Sequence, residues 1–227
     1  MERGAARQSA SATWSSSTIP SADPKAATGI LGGTFDPVHR GHLAAATQLR
    51  SVAGLSDVWL MPNAQPPHRA TAPLASPRDR LRMVELAAGR IDGVMASSLE
   101  VDRGGISYTI DTVRQLRQSF PDRAFTLLLG FDAALQIRSW HQSDALLSEA
   151  RIVIFSRPQV ELRPGDLDRL GFAPSRTRMV LIDTPAVSAR TVRARLSAGE
   201  PVEDMLSPEV LGYIREHGLY PRTGRMG

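Results

Sequence analysis

Short apolar runs rich in β-branched residues alternate along the chain with stretches whose apolar residues recur at helical spacing. That is the pattern of buried parallel strands joined by crossover helices. The runs Thr28–Gly33, Asp57–Met61, Val94–Val101, Phe125–Leu129, Arg151–Ser156 and Met179–Asp183 are predicted strands. Helices are predicted over Leu43–Val52, over Thr109–Ser119, from about Ser188 to Ala198 and from Pro208 to His217. A further helix opens at Ser76-Pro77, an N-cap followed by proline in the first turn, and sets Leu81, Val84, Glu85 and Ala88 at helical spacing. Gly199 supplies a C-terminal stop, and three prolines within Pro62-Asn63-Ala64-Gln65-Pro66-Pro67 exclude helix there. The fold class is therefore α/β, an open, mostly parallel sheet with helices on both faces.

At 227 residues and 42% hydrophobic content the chain buries one substantial core, and neither an internal repeat nor a second domain boundary is visible. Residues 1–27, rich in Ser, Ala and Thr, read as a disordered extension, 28–222 as the domain and 223–227 as a short tail. The extension has no apolar run suited to a signal peptide or membrane span, and Glu2 and Asp23 argue against a transit peptide. Cysteine is absent, which removes disulfides and thiolate metal sites and fits a cytoplasmic setting. Of the 27 basic residues all but Lys25 are arginine, for a net charge of +4. Most alternate with carboxylates, as in Arg78-Asp79-Arg80, and read as a solvated surface, so neither nucleic acid nor membrane is an expected partner.

The segment that changes this picture is Gly32-Gly33-Thr34-Phe35-Asp36-Pro37-Val38-His39-Arg40-Gly41-His42, placed between the first strand and the first helix. Ligands of open α/β sheets bind beyond the carboxyl ends of the strands, where a helix N-terminus offers free N–H groups and a positive dipole end to phosphate. Two glycines allow the backbone to approach a polyphosphate closely, and His39 and His42, three apart, can face the same anion. The segment is neither GxxxxGK[ST] nor GxGxxG, which disfavours a P-loop NTPase and a dinucleotide-binding dehydrogenase. Taken alone, the histidine pair would fit a helix cap as well, or two ligands of a metal site; only Asp36 stands near to extend a metal set, so no protein metal site is assigned.

With its paired histidines the segment resembles the (H/T)xGH signature of a nucleotidyltransferase superfamily with a Rossmann-like sheet, and more closely the bacterial-type nicotinate-nucleotide adenylyltransferases. Four further stretches carry that resemblance: Pro62 to Arg69, similar to a proline-rich substrate loop; Ser107-Tyr108-Thr109; Gly130-Phe131-Asp132; and Ser139-Trp140-His141. The tail His217-Gly218-Leu219-Tyr220 is similar to the family's as well. The resemblance implies adenylyl transfer from ATP to nicotinate mononucleotide, giving deamido-NAD and pyrophosphate, with Mg²⁺ carried by the triphosphate. It implies that His39, His42 and Arg193 act on the phosphates and that Gly32, Gly33, Thr34, Phe35, Asp132 and Ser188 bind ATP. Asn63, Arg69, Thr109, Ile110, Trp140 and His141 would bind the mononucleotide, with Trp140 stacked on the pyridine ring, while Tyr108 is assigned to packing.

One departure stands out. The family pattern I-S-S-T-x-x-R appears here as Val187-Ser188-Ala189-Arg190-Thr191-Val192-Arg193, with Arg190 where threonine is usual. Thr191 could supply the missing hydroxyl, or Arg190 a cation for the same anion, and the sequence does not choose. Phosphopantetheine adenylyltransferases and cytidylyltransferases share the histidine motif but lack the Pro66-Pro67-His68 and Trp140 loops. Selection between nicotinate and nicotinamide mononucleotide, retention of the fold without turnover, and assembly into a homo-oligomer all stay open at this point.

Overall fold

Every strand pairs in parallel with its neighbours in a six-stranded sheet, whose order across the sheet is β3 (Val94–Ala96), β2 (Asp57–Pro62), β1 (Ala27–Gly33), β4 (Ala124–Gly130), β5 (Arg151–Ser156) and β6 (Thr177–Leu181). The computed structural model describes residues 27–67, 71–156 and 165–221. Its elements run β1 (Ala27–Gly33), α1 (Arg40–Val52), β2 (Asp57–Pro62), α2 (Pro77–Ala88), β3 (Val94–Ala96), α3 (Leu99–Arg103) and α4 (Thr109–Ser119). They continue with β4 (Ala124–Gly130), α5 (Phe131–Leu135), α6 (Ser143–Glu149), β5 (Arg151–Ser156), α7 (Asp166–Arg169), β6 (Thr177–Leu181), α8 (Ala189–Ala198) and α9 (Pro208–Glu216).

Alternation along the central strands builds two cores. Leu31, Leu128 and Val153 point to one face, packed by Ala46 and Leu49 of α1, Met83 and Val84 of α2, Val192 of α8 and Ile214 of α9. Ile30, Leu127, Leu129, Ile152 and Ile154 point to the other, covered by Ile110, Val113 and Leu116 of α4, Phe131 of α5 and Leu146 of α6. A strand buried on both faces has no polar side, which is why these strands read as unbroken apolar runs.

β5 and α4 occupy their predicted residues, and Ser76, Ser188 and Ser207 cap α2, α8 and α9 by accepting the amides of Asp79, Thr191 and Val210. Gly199 closes α8 in the left-handed region at φ 73°. The predicted strand Val94–Val101 is corrected: β3 ends at Ala96, and Leu99–Arg103 is helical. α1 starts at Arg40 rather than Leu43, β6 lies two residues earlier than predicted, and Glu85 faces outward to pair with Arg82 (3.0 Å). β1 takes in Ala27, paired with Ala124. The rest of the predicted extension and the tail lie outside the described residues. Among the described residues no helix is long and apolar enough to cross a membrane.

Candidate active site

β1 and β4 pair only from Ala27↔Ala124 to Ile30↔Leu127, whereas β1 stays with β2 as far as Gly33↔Pro62 and β4 with β5 as far as Gly130↔Phe155. The sheet therefore parts at its carboxyl end between the two strands where the connections change direction, the place where open α/β sheets bind ligands. A cavity of about 400 Å³ fills the parting, a size suited to a small-molecule site.

Gly32, Gly33, Thr34 and Phe35 form one wall. A Cβ on Gly32 would meet nothing within 4 Å, whereas one on Gly33 would stand 3.0 Å from the Phe35 ring. That ring, 3% exposed, lies edge-on to His42 with centroids 4.9 Å apart. His39 is the extended N-cap of α1 and His42 its third residue, their rings stacked at 3.7 Å. The His39 amide donates to Nδ1 of His42 (3.3 Å), which leaves the proton of a neutral His42 ring on Nε2. His42 borders the cavity while His39 is buried behind it.

Asp36, 2% exposed, anchors this turn. Its carboxylate accepts the amides of Leu74 (3.0 Å) and Ala75 (3.1 Å) and the hydroxyl of Tyr220 (2.7 Å). The guanidinium of Arg193 donates to the Asp36 carbonyl (2.5 Å) and lies 3.8 Å from its carboxylate, so α8 is tied to the histidine turn. At the start of α8 the Ser188 and Thr191 hydroxyls are 2.8 Å apart, which places a second hydroxyl beside the N-cap, and Arg190 is exposed.

The other side of the cavity brings together Asn63, Tyr108, Thr109, Trp140 and His141. Thr109 and Ile110 open α4, where first-turn amides have no carbonyl one turn back to donate to; the Ile110 side chain is in the core. Tyr108, assigned to packing by the sequence, borders the cavity with its ring 4.2 Å from that of His141. Trp140 follows the 3₁₀ turn Ile137–Ser139 after α5. Gly130 and Ala133 reach the cavity, and Asp132 is exposed in the first turn of α5. Arg69 lies outside the described residues.

Two charged residues that sequence reasoning missed hold these walls together. Arg80 was counted with a solvated charge run but is fully buried. It donates to the carbonyls of Thr34 (2.7 Å), Asn63 (2.7 Å), Ala64 (3.0 Å) and Ala75 (3.4 Å) and to Oδ1 of Asn63 (3.2 Å). The signal was present: Arg80 lies on the buried stripe of α2 with Met83, Val84 and Ala87. Glu100, 8% exposed and bordering the cavity, accepts the Thr112 hydroxyl at 2.6 Å, and Arg103 donates to that same hydroxyl at 3.0 Å.

Burial pushes the Glu100 carboxyl above its ordinary range, against the opposing bonds from Thr112 and Ser107 and the charge of Arg103. An acid whose folded pKa is raised stabilises the fold at low pH and loses that contribution as pH rises through the raised value. Glu100→Gln, which stays neutral, is therefore expected to gain in melting temperature relative to the parent on going from pH 4.5 to 8, about 4.5 being the unperturbed carboxyl value. A melting-temperature difference that stays constant across that range would refute this. Among the described residues no group of three or more His, Cys, Asp or Glu side chains is arranged to hold a metal ion.

The cytidylyltransferase-like family model matches residues 30–195, which span both walls of the cavity. A probable nicotinate-nucleotide adenylyltransferase of Aeromonas hydrophila is 40% identical over 210 residues, covering 85% of this chain and 96% of that protein. This chain belongs to the nicotinate-nucleotide adenylyltransferase family. A second relative of that name, from Bacillus pumilus, is 36% identical over 85% of this chain and 97% of its own. The same fold occurs in the nicotinic acid mononucleotide adenylyltransferase of Plasmodium falciparum complexed with NaAD. That structure is 19% identical, with a TM-score of 0.71 over 86% of this chain and 97% of the other. The family's histidine turn, proline loop and tryptophan loop thus meet here around one cavity.

Proposed function

We propose that the cavity between β1 and β4 is where this chain moves the adenylyl group of ATP onto nicotinate mononucleotide, releasing pyrophosphate and forming deamido-NAD. The observation that carries this reading is His42, its Nδ1 taken by the His39 amide so that a neutral ring carries its proton on Nε2, on the same cavity as Trp140 and the α4 N-terminus. A phosphate oxygen of the mononucleotide attacks the α-phosphorus as the bond from that phosphorus to the pyrophosphate oxygen breaks. The attacking oxygen is already an anion, so alignment and charge stabilisation suffice and no base is needed.

His42 donates to the α-phosphate, with His39 stacked behind it to fix its ring. The turn Gly32-Gly33-Thr34-Phe35 receives ATP, with Asp132 on the same side. Ser188, the α8 N-terminus and Arg193 hold the leaving pyrophosphate. Trp140 stacks on the pyridine ring, the Thr109 and Ile110 amides and His141 meet its carboxylate, and Asn63 and Arg69 contact the ribose and phosphate. A divalent ion, which we take as Mg²⁺, enters with the triphosphate and offsets its charge. Phosphate oxygens and water are taken as its ligands, because Glu100, a carboxylate that borders the cavity, already accepts the Thr112 hydroxyl. The lack of cysteine supports placing the reaction in the cytoplasm.

The test is pyrophosphate release with ATP and Mg²⁺, comparing nicotinate and nicotinamide mononucleotide. The acid is expected to be strongly preferred, because amides aimed at a carboxylate are left poorly matched by a carboxamide. Equal rates with both would sink the assignment of the carboxylate subsite. No release with either would sink the activity.

A further inference from the structure

We propose that Tyr220 is a positioning residue for adenylyl transfer, acting through Asp36 on the turn that carries His39 and His42 and on Arg193. The inference rests on the proposed reaction at that turn. It starts from a residue that the mechanism above leaves unused, at the far end of the described chain.

The Tyr220 hydroxyl donates to Oδ1 of Asp36 at 2.7 Å across 184 residues of sequence. Both groups are buried, at 5% and 2% exposure, so the bond is shielded from bulk water. Ala75 N–H shares Oδ1 with Tyr220, and Leu74 N–H serves Oδ2. A buried carboxylate that loses a donor must move or recruit another. Asp36 cannot move alone: its own carbonyl accepts from Arg193, and His39 follows three residues on as the N-cap of α1. A shift at Asp36 therefore reaches both the guanidinium and the imidazoles.

The backbone of Tyr220 supports a role beyond filling space. It sits at φ 56°, where side chains other than glycine are uncommon, and it precedes Pro221, which further disfavours helical conformations. A phenylalanine in the same place would keep the ring's packing in the core formed with Val210 and Ile214 but would offer nothing to Asp36. Burial and the Asp36 carboxylate both push the phenol's pKa upward, so it is a neutral donor at any working pH.

The experiment sets Tyr220→Phe beside Tyr213→Phe. Tyr213 makes the same kind of bond, donating to Asp79 at 2.9 Å, from α9 and away from Asp36. Each variant loses one phenol–carboxylate hydrogen bond, so both are expected to lose some melting temperature. Only Tyr220→Phe is expected to lose kcat, by roughly tenfold, as displaced catalytic groups do. Its KM for nicotinate mononucleotide should stay within about twofold of the parent, since the acceptor side is untouched. Wild-type kcat in a folded Tyr220→Phe protein overturns the proposal, as does an equal loss of kcat in both variants. A parent protein that makes no pyrophosphate at all speaks against the proposed reaction instead, and ATP binding by the two variants, measured calorimetrically, then decides whether Tyr220 orders the turn.

Discussion

Replacing His42 by alanine is expected to lower kcat by ~10²–10³-fold, the usual loss when one preorganised donor to developing charge is removed. The magnitude follows from geometry. The His39 amide occupies Nδ1 of His42, the stacked His39 ring and the Phe35 edge fix the imidazole plane, and the ring borders the cavity. A donor fixed in this way costs no reorganisation when charge moves from the α-phosphate toward pyrophosphate. KM for ATP should change much less than kcat, because the ground-state triphosphate also contacts the glycine turn and the helix N-terminus. His42→Gln, which retains an N–H, should recover part of the loss. Steady-state pyrophosphate release with melting temperatures measured in parallel checks both points; a folded His42→Ala enzyme within about threefold of the parent would remove His42 from the chemistry.

The largest loss of stability is expected at Arg80. Its guanidinium reaches five acceptors from Thr34, Asn63, Ala64 and Ala75 with no exposure to solvent. Arg80→Met fills much of the volume and leaves those carbonyls without their donors, at a cost of about 3–5 kcal/mol, the range seen when one partner is taken from a buried charged network. For a domain of this size that is a fall in melting temperature on the order of 10 °C. Arg80→Lys should do little better, because an ammonium offers three donors from one point and cannot span a forked set of carbonyls. Thermal unfolding by circular dichroism decides it: a shift under about 2 °C in Arg80→Met would show that the network is replaceable.

Arg80 also marks where a signal in the sequence was passed over, since its place on the buried stripe of α2 was taken for part of a solvated run. The central strands were legible because Leu127-Leu128-Leu129 and Ile152-Val153-Ile154 are buried on both faces and need no alternation to be recognised. α2 was legible at its start because Ser76 caps it ahead of Pro77, and α8 at its end because Gly199 stops it. α3 was hidden: Leu99-Glu100-Val101-Asp102 alternates like a strand, and five residues are too few to show helical period. Tyr108 packs against the second core as expected, but its ring contact with His141 comes from a loop 33 residues away, which no local pattern reveals. The motif residues proposed for the site came from the resemblance, whereas the buried charges behind them were passed over. Arg80 and Glu100 are charged residues in buried places, and Tyr220 meets Asp36 only through the complete fold.

β1, the first strand among the described residues, is one of the two central strands of the sheet, and its second neighbour begins at Ala124, paired with Ala27. β2 and β3 can join it on one side early, but its other row of N–H and C=O groups has no strand to meet until β4 emerges. At ~5–20 residues per second of synthesis that wait is on the order of 5–20 s, long enough for an open strand edge to meet another chain. Newly made protein is thus most open to mispairing along Ala27–Ile30, the stretch that β4 later covers. Closure there also creates the cavity, because β4 joins β1 only as far as Leu127 and then diverges from it. The half-made chain has its glycine turn but nothing opposite it, and the moment that ends its exposure to other chains is the one that gives it a site.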